Sequence, residues 1–220
     1  MCFSAEVNFV ASAVIGAVGV ATLTHTRHPR EVLFAAMPLF FALHQFTEGF
    51  VWLGLDGVIG ETARDNAAFL FLFYAQGLLP ILMPLAVFLL EPPGWRRRAL
   101  GAITAIASVF GGYMIWGVMA FPTTCYAENG SVVYANTVTE TMWTGILYIG
   151  VTCGALVLSG FAVVRWFGVL NLIGLTVVMI AKSYAFSSVW CFYAAVISVM
   201  LYWQFRQGHI RIHRDQPAAP

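Results

Sequence analysis

Charge is what this sequence has least of. Eleven Lys and Arg and ten Asp and Glu make 10% of 220 residues. A soluble domain carries about 25%. So few charges cannot cover a water-facing surface. With 60% hydrophobic residues and a mean hydropathy of +0.81, the chain reads as an all-α polytopic membrane bundle. A nucleic-acid partner is excluded, because the basic residues form short clusters between apolar runs rather than one patch. Catalytic signatures are also missing. There is no HExxH, GxSxG, Walker loop or dinucleotide fingerprint, so no motif names a reaction. Within the apolar segments histidine is confined to His44, which excludes a bis-histidine haem within one chain. The start lacks a basic n-region, so the first apolar run reads as a spanning helix and not as a cleavable signal.

What is present is a series of runs near the length of about 20 residues that a spanning helix needs. Seven are predicted, at about 4–24, 31–55, 66–90, 99–121, 138–164, 167–185 and 189–206. Residues 1–208 form one transmembrane domain, and 209–220 a basic cytoplasmic tail. The connection 122–137 is the longest, and its Val132-Val133-Tyr134 can form a short strand. Arginine distribution orients the bundle. One side collects Arg27, Arg30, Arg96, Arg97, Arg98, Arg165, Arg206, Arg211 and Arg214. The other has only Arg64 and Lys182, beside Asp56, Glu61, Asp65 and Glu128. This puts the N-terminus outside and the C-terminus in the cytoplasm, in the inner (plasma) membrane.

Polar residues then fall mostly in the outer half. At about 1.5 Å per residue, Glu48 sits roughly 10 Å below the outer surface and His44 one turn deeper. His44 and Glu48, four residues apart, share a helix face. An ionisable residue inside a spanning helix marks a bundle interior or a wet cavity. The expectation is an outward-facing polar pocket centred on Glu48, drawing on His44, Gln45, Tyr74, Gln76, Glu140, Lys182 and Trp190. Lys182 is the natural charge partner of Glu48. Trp52, Trp95, Trp143, Trp166, Trp190 and Trp203 lie at predicted span ends and read as interface belts. Gly150 and Gly154 fit a small-xxx-small packing pattern.

The cysteines are few, at 2, 125, 153 and 191. Cys2 and Cys191 both fall at the outer edge, where a disulfide between them would tie the N-terminus to the seventh span; Cys125 competes as a partner. The same Cys2 and Cys191, with Glu48, are ligand types for a transition-metal ion, though no compact spacing supports a metal site.

The opening Met1-Cys2-Phe3-Ser4-Ala5, the stretch Gln45 to Trp52 and Ser188-Val189-Trp190-Cys191-Phe192 together resemble an uncharacterised prokaryotic family of multi-pass membrane proteins that begin with the same pentapeptide. The resemblance covers nearly the whole chain. It implies that Cys2, Gln45, Glu48, Trp52, Trp190 and Cys191 match recurrent motifs, with His44 less typical. It implies no activity.

The function expected is therefore small-molecule or metal-ion binding by a bilayer-embedded protein, as sensor, carrier or enzyme. A proton-coupled transporter or channel, and a structural subunit of a membrane complex or homo-oligomer, are the alternatives. No cofactor is specified beyond that possible metal ion.

Overall fold

The computed structural model describes residues 4–139, 141–182 and 199–208, with side chains for all of these except 178–182. Helix α1 spans Ala5–Leu23, α2 Pro29–Ala35 and α3 Met37–Leu55. A continuous rod follows, made of α4 (Glu61–Leu72), a π turn (Phe73–Leu78) and α5 (Leu79–Leu90). Then come α6 (Trp95–Ala120), strands β1 (Thr124–Glu128) and β2 (Ser131–Ala135), α7 (Met142–Leu158) and α8 (Ala162–Lys182). Residues 199–207 are helical.

Local chemistry sets the boundaries. Ser4 caps α1 by accepting from the Val7 N–H at 3.4 Å. His28 and Glu31 form a capping box at α2, and Pro29 takes the first helical position, where a missing N–H costs nothing. The second expected span is broken at Ala36, just before Pro38, into α2 and α3.

Three helices among the described residues are long and apolar enough to cross a membrane: Ala5–Leu23, the rod Glu61–Leu90 and Trp95–Ala120. Met142–Leu158 is apolar but shorter, and the Ala162–Val177 portion of α8 is apolar too. Helix α3 has 19 residues, as many as α1, yet is not among the three. Its polar residues His44, Gln45, Thr47 and Glu48 are the reason.

Helix α1 lies against α3, antiparallel, with Phe9 against Gly49 and Leu39 against Gly19. The α5 segment is central and packs on α2, α6 and α7. Helix α6 crosses the π turn where Gly111 faces the Gly77 carbonyl; a Cβ on Gly111 would come within 2.6 Å of that oxygen. The core is closed by Phe34, Phe41, Phe71, Leu90, Leu100, Leu156 and Phe167, all essentially buried.

The all-α expectation is corrected at 122–137. This stretch is an antiparallel hairpin pairing Thr124 with Ala135 through Glu128 with Ser131. Asn129 and Gly130 make its two-residue turn with φ of 47° and 70°. Two successive positive φ values define the turn whose twist matches a hairpin, and Asn-Gly is the pair that best tolerates them. Strand β2 is buried over Ser131–Tyr134, so the hairpin folds onto the helices. Asn136 locks it there. Its Nδ2 donates to the Gly117 and Phe121 carbonyls, each at 3.3 Å, and to Thr123 Oγ1 at 2.9 Å. Its Oδ1 accepts from the Val138 and Thr139 N–H groups at 3.0 and 3.2 Å.

A second polar knot closes the opposite end. The buried Glu91 carboxylate accepts from the Gly160 N–H at 2.9 and 3.0 Å and from Ser159 Oγ at 3.2 Å. Arg165 Nη1 donates to the Ser159 and Gly160 carbonyls, both at 3.0 Å. This knot explains a shifted boundary. The turn between the fifth and sixth expected spans lies at Ser159–Gly160, not at Arg165-Trp166, because Glu91 captures the backbone there. Among the described residues a Cβ on Gly150 or Gly154 would meet nothing within 4 Å, so the packing expected of them is not made with any of those residues. Trp52 is corrected from interface to core, whereas Trp95, Trp143, Trp166 and Trp203 are exposed.

Replacing one partner of a buried hydrogen bond strands the other, at about 1–3 kcal/mol, with the upper part of that range for bonds to a charged group such as Glu91. Glu91→Ala and Asn136→Ala are each expected to lower the melting temperature of the detergent-purified protein by several degrees. Thr124→Ala, in the exposed strand β1, is expected to leave it within a degree. Thermal unfolding followed by tryptophan fluorescence measures all three.

Candidate functional site

Helix α3 carries two chemically different faces. Leu43, Phe46 and Phe50 are exposed. Phe41, His44, Gln45, Glu48 and Trp52 lie on the other side, and Gln45 and Glu48 have no exposed surface at all. The spacing of 41, 44, 45, 48 and 52 follows one stripe of a helix, so a single rotation buries the whole polar row. Burying an acidic or basic side chain in a spanning helix costs about 2.5–3.5 kcal/mol on insertion scales.

Helix α3 packs on α4, and His44 reaches the start of the π turn. His44 Nε2 lies 3.4 Å from the Phe71 carbonyl; a carbonyl only accepts, so this contact requires the Nε2–H tautomer. The His44 ring stacks at 3.8 Å on Phe71 and stands 5.3 Å from Tyr74. Phe71 in turn stacks on Tyr134 of the hairpin at 4.6 Å. Tyr74 is 6.0 Å from Phe40. Gln76, two residues on in the π turn, is buried. From α7, the buried Tyr148 hydroxyl donates to the Ala75 carbonyl at 3.0 Å. A π turn shifts the backbone ladder by one residue, which leaves a carbonyl needing an outside donor; such turns are frequent at functional sites. Here Tyr148 supplies that donor across the bundle. On α1, Asn8 is fully buried, and it donates to the Ser4 carbonyl at 3.0 Å.

Of the residues expected in a site, the structure brings His44 and Tyr74 together and puts Gln45 and Glu48 on the same buried face. Gln76 follows on the π turn. Lys182 ends α8, its side chain outside the described portion. Glu140, Trp190, Cys2 and Cys191 lie outside the described residues, and with them the expected disulfide and two of the three expected metal ligands. Cys125, the competing disulfide partner, is a free thiol in β1. Burial pushes its pKa up, against the pull of Arg64, so less thiolate is available at neutral pH. Among the described residues no three His, Cys, Asp or Glu side chains meet as a metal site. Sequence reasoning missed Tyr148, Asn8 and the stacking role of Tyr134. A tyrosine inside an apolar run was the available signal for Tyr148.

Tyr148→Phe removes the donor to the Ala75 carbonyl and keeps the ring. A net loss of about 1–2 kcal/mol is expected, with faster amide exchange over residues 73–79. Tyr113→Phe, at an exposed position of α6, is the comparison and is expected to change neither. Hydrogen–deuterium exchange reads both.

No curated protein and no solved structure matches the chain. One family profile does, over residues 1–216. The chain therefore belongs to the family of unknown function DUF6629.

Proposed function

We propose that this chain is a plasma-membrane protein of seven spanning helices, N-terminus outside and C-terminus cytoplasmic. Residues 1–208 are its bundle and 209–220 its tail. In this reading an outward-facing pocket centred on Glu48 binds a small molecule or metal ion. His44, Gln45, Tyr74 and Gln76 line it, joined by Glu140, Lys182 and Trp190. The observation that carries the reading is the buried polar row of α3, with His44 at one end of it set against Phe71 and Tyr74. Ionisable and amide groups gathered on one buried face of an apolar bundle are the usual makings of a ligand site.

An organic small molecule is the better-supported class. Carboxylate, imidazole, amide and phenol groups alternate here with the rings of Phe40, Phe71 and Tyr134, a mixture suited to a partly apolar, partly polar ligand. A metal would need donors supplied by Cys2 and Cys191. Binding is favoured over conduction by what lies below His44. The α3 face continues as Phe41 and Met37, with Phe34 beyond, all buried and apolar. A proton path needs polar groups there.

The test is native mass spectrometry with metal analysis of protein purified from its own membranes. The wild type is expected to carry a bound small molecule. Glu48→Gln, which keeps size and loses charge, is expected to retain at least about tenfold less, equivalent to about 1.4 kcal/mol. An empty wild-type bundle, or equal retention by the variant, overturns the reading.

A further inference from the structure

The end of the bundle opposite the hairpin concentrates cations. Arg96, Arg97 and Arg98 occupy the first turn of α6, with no acidic residue beside them in that turn. Cations there oppose the helix dipole, so they do not serve the helix itself. The fold brings a fourth arginine to them. Arg165 Nη1 lies 3.0 Å from the Gly160 carbonyl, and Arg96 Nη1 lies 3.6 Å from where a Cβ on Gly160 would stand. Two guanidinium groups from separate helices thus flank one glycine. The negative group in this turn is Glu91, whose oxygens already accept from Gly160 and Ser159. Arg97 donates to the Glu91 carbonyl at 3.0 Å and stacks on Phe88 at 4.8 Å. Against the one engaged carboxylate, the four arginines leave an excess of positive charge at this end of the bundle. Trp95 and Trp166, both about two-thirds exposed, flank the same turn. Exposed tryptophans mark the headgroup level of a bilayer.

We propose that Arg96, Arg98 and Arg165, between Trp95 and Trp166, form a binding surface for the phosphate of an anionic phospholipid in the cytoplasmic leaflet. Each guanidinium has five N–H donors, so Arg165 keeps several after bonding the turn. Polybasic groups at this level recognise anionic headgroups, and guanidinium matches phosphate in geometry. This inference rests on the membrane reading above. The failure of that reading is seen separately, as release of the protein from alkali-washed membranes.

The test is a native mass spectrometry titration of the full-length protein with short-chain phosphatidylglycerol, phosphatidylcholine and inorganic phosphate. Phosphatidylglycerol is expected to bind more tightly than phosphatidylcholine and to survive equimolar inorganic phosphate. The Arg96→Gln/Arg98→Gln double variant is expected to lose about tenfold in that affinity, the corresponding double Lys variant no more than about threefold, and Arg64→Gln at the other end nothing. Should the Gln variant fold poorly, the lipid-induced rise in wild-type melting temperature, present with phosphatidylglycerol and absent with phosphatidylcholine, carries the same question. Equal binding of the two lipids, or displacement by inorganic phosphate, overturns the proposal.

Discussion

The burial of Gln45 and Glu48 on one face of α3 is the constraint around which the rest of the bundle is arranged. In an apolar bundle a buried polar group must find its partners inside the protein. This forces the rotation of α3, which in turn exposes Leu43, Phe46 and Phe50. It brings α1 close, since Phe9 rests on Gly49 and packs edge-on against Phe46 and Phe50 at 5.5 and 5.4 Å. It places His44 against Phe71 and within 5.3 Å of Tyr74, at the start of the π turn. The column of His44, Phe71 and Tyr134 then ties the polar row to the hairpin.

Two knots hold this arrangement at its ends, and both work by side chains capturing backbone. Asn136 joins the end of α6 to the exit of the hairpin, and Glu91 joins the end of α5 to the turn between α7 and α8. Each fixes a connection that apolar packing alone leaves free to slide. The arginines gather at the Glu91 end, while Asp56, the pair Glu61 and Asp65 at the start of α4, and Glu128 of β1 belong to the other. The charge asymmetry along the chain is thus also an asymmetry across the folded bundle.

Some of this was legible in the residues. Apolar runs mark the helices, and a histidine and a carboxylate four apart mark the face of α3. Asn129-Gly130 after a polar strand was a readable hairpin signal, weaker than the helical runs around it. The turn at Ser159–Gly160 was misplaced because Arg165 looked like a span end, whereas the deciding partner, Glu91, is 68 residues earlier than Ser159. Trp52 was misread for a related reason. Its position near a span end is visible along the chain, but the side it presents depends on which way Glu48 must turn. The π turn has no local signature in Phe73–Leu78; it is stabilised by Tyr148 and by the close approach of Gly111, both distant in sequence.

The central claim is that the polar row of α3 faces protein and that Leu43, Phe46 and Phe50 face out of the bundle. Photolabelling in membranes with a lipid-soluble diazirine, followed by mass spectrometry of the 37–55 segment, tests it most directly. Label is expected on Leu43, Phe46 and Phe50 and absent from Gln45, Glu48 and Trp52. Label on Glu48 or Trp52, or none anywhere on α3, contradicts it.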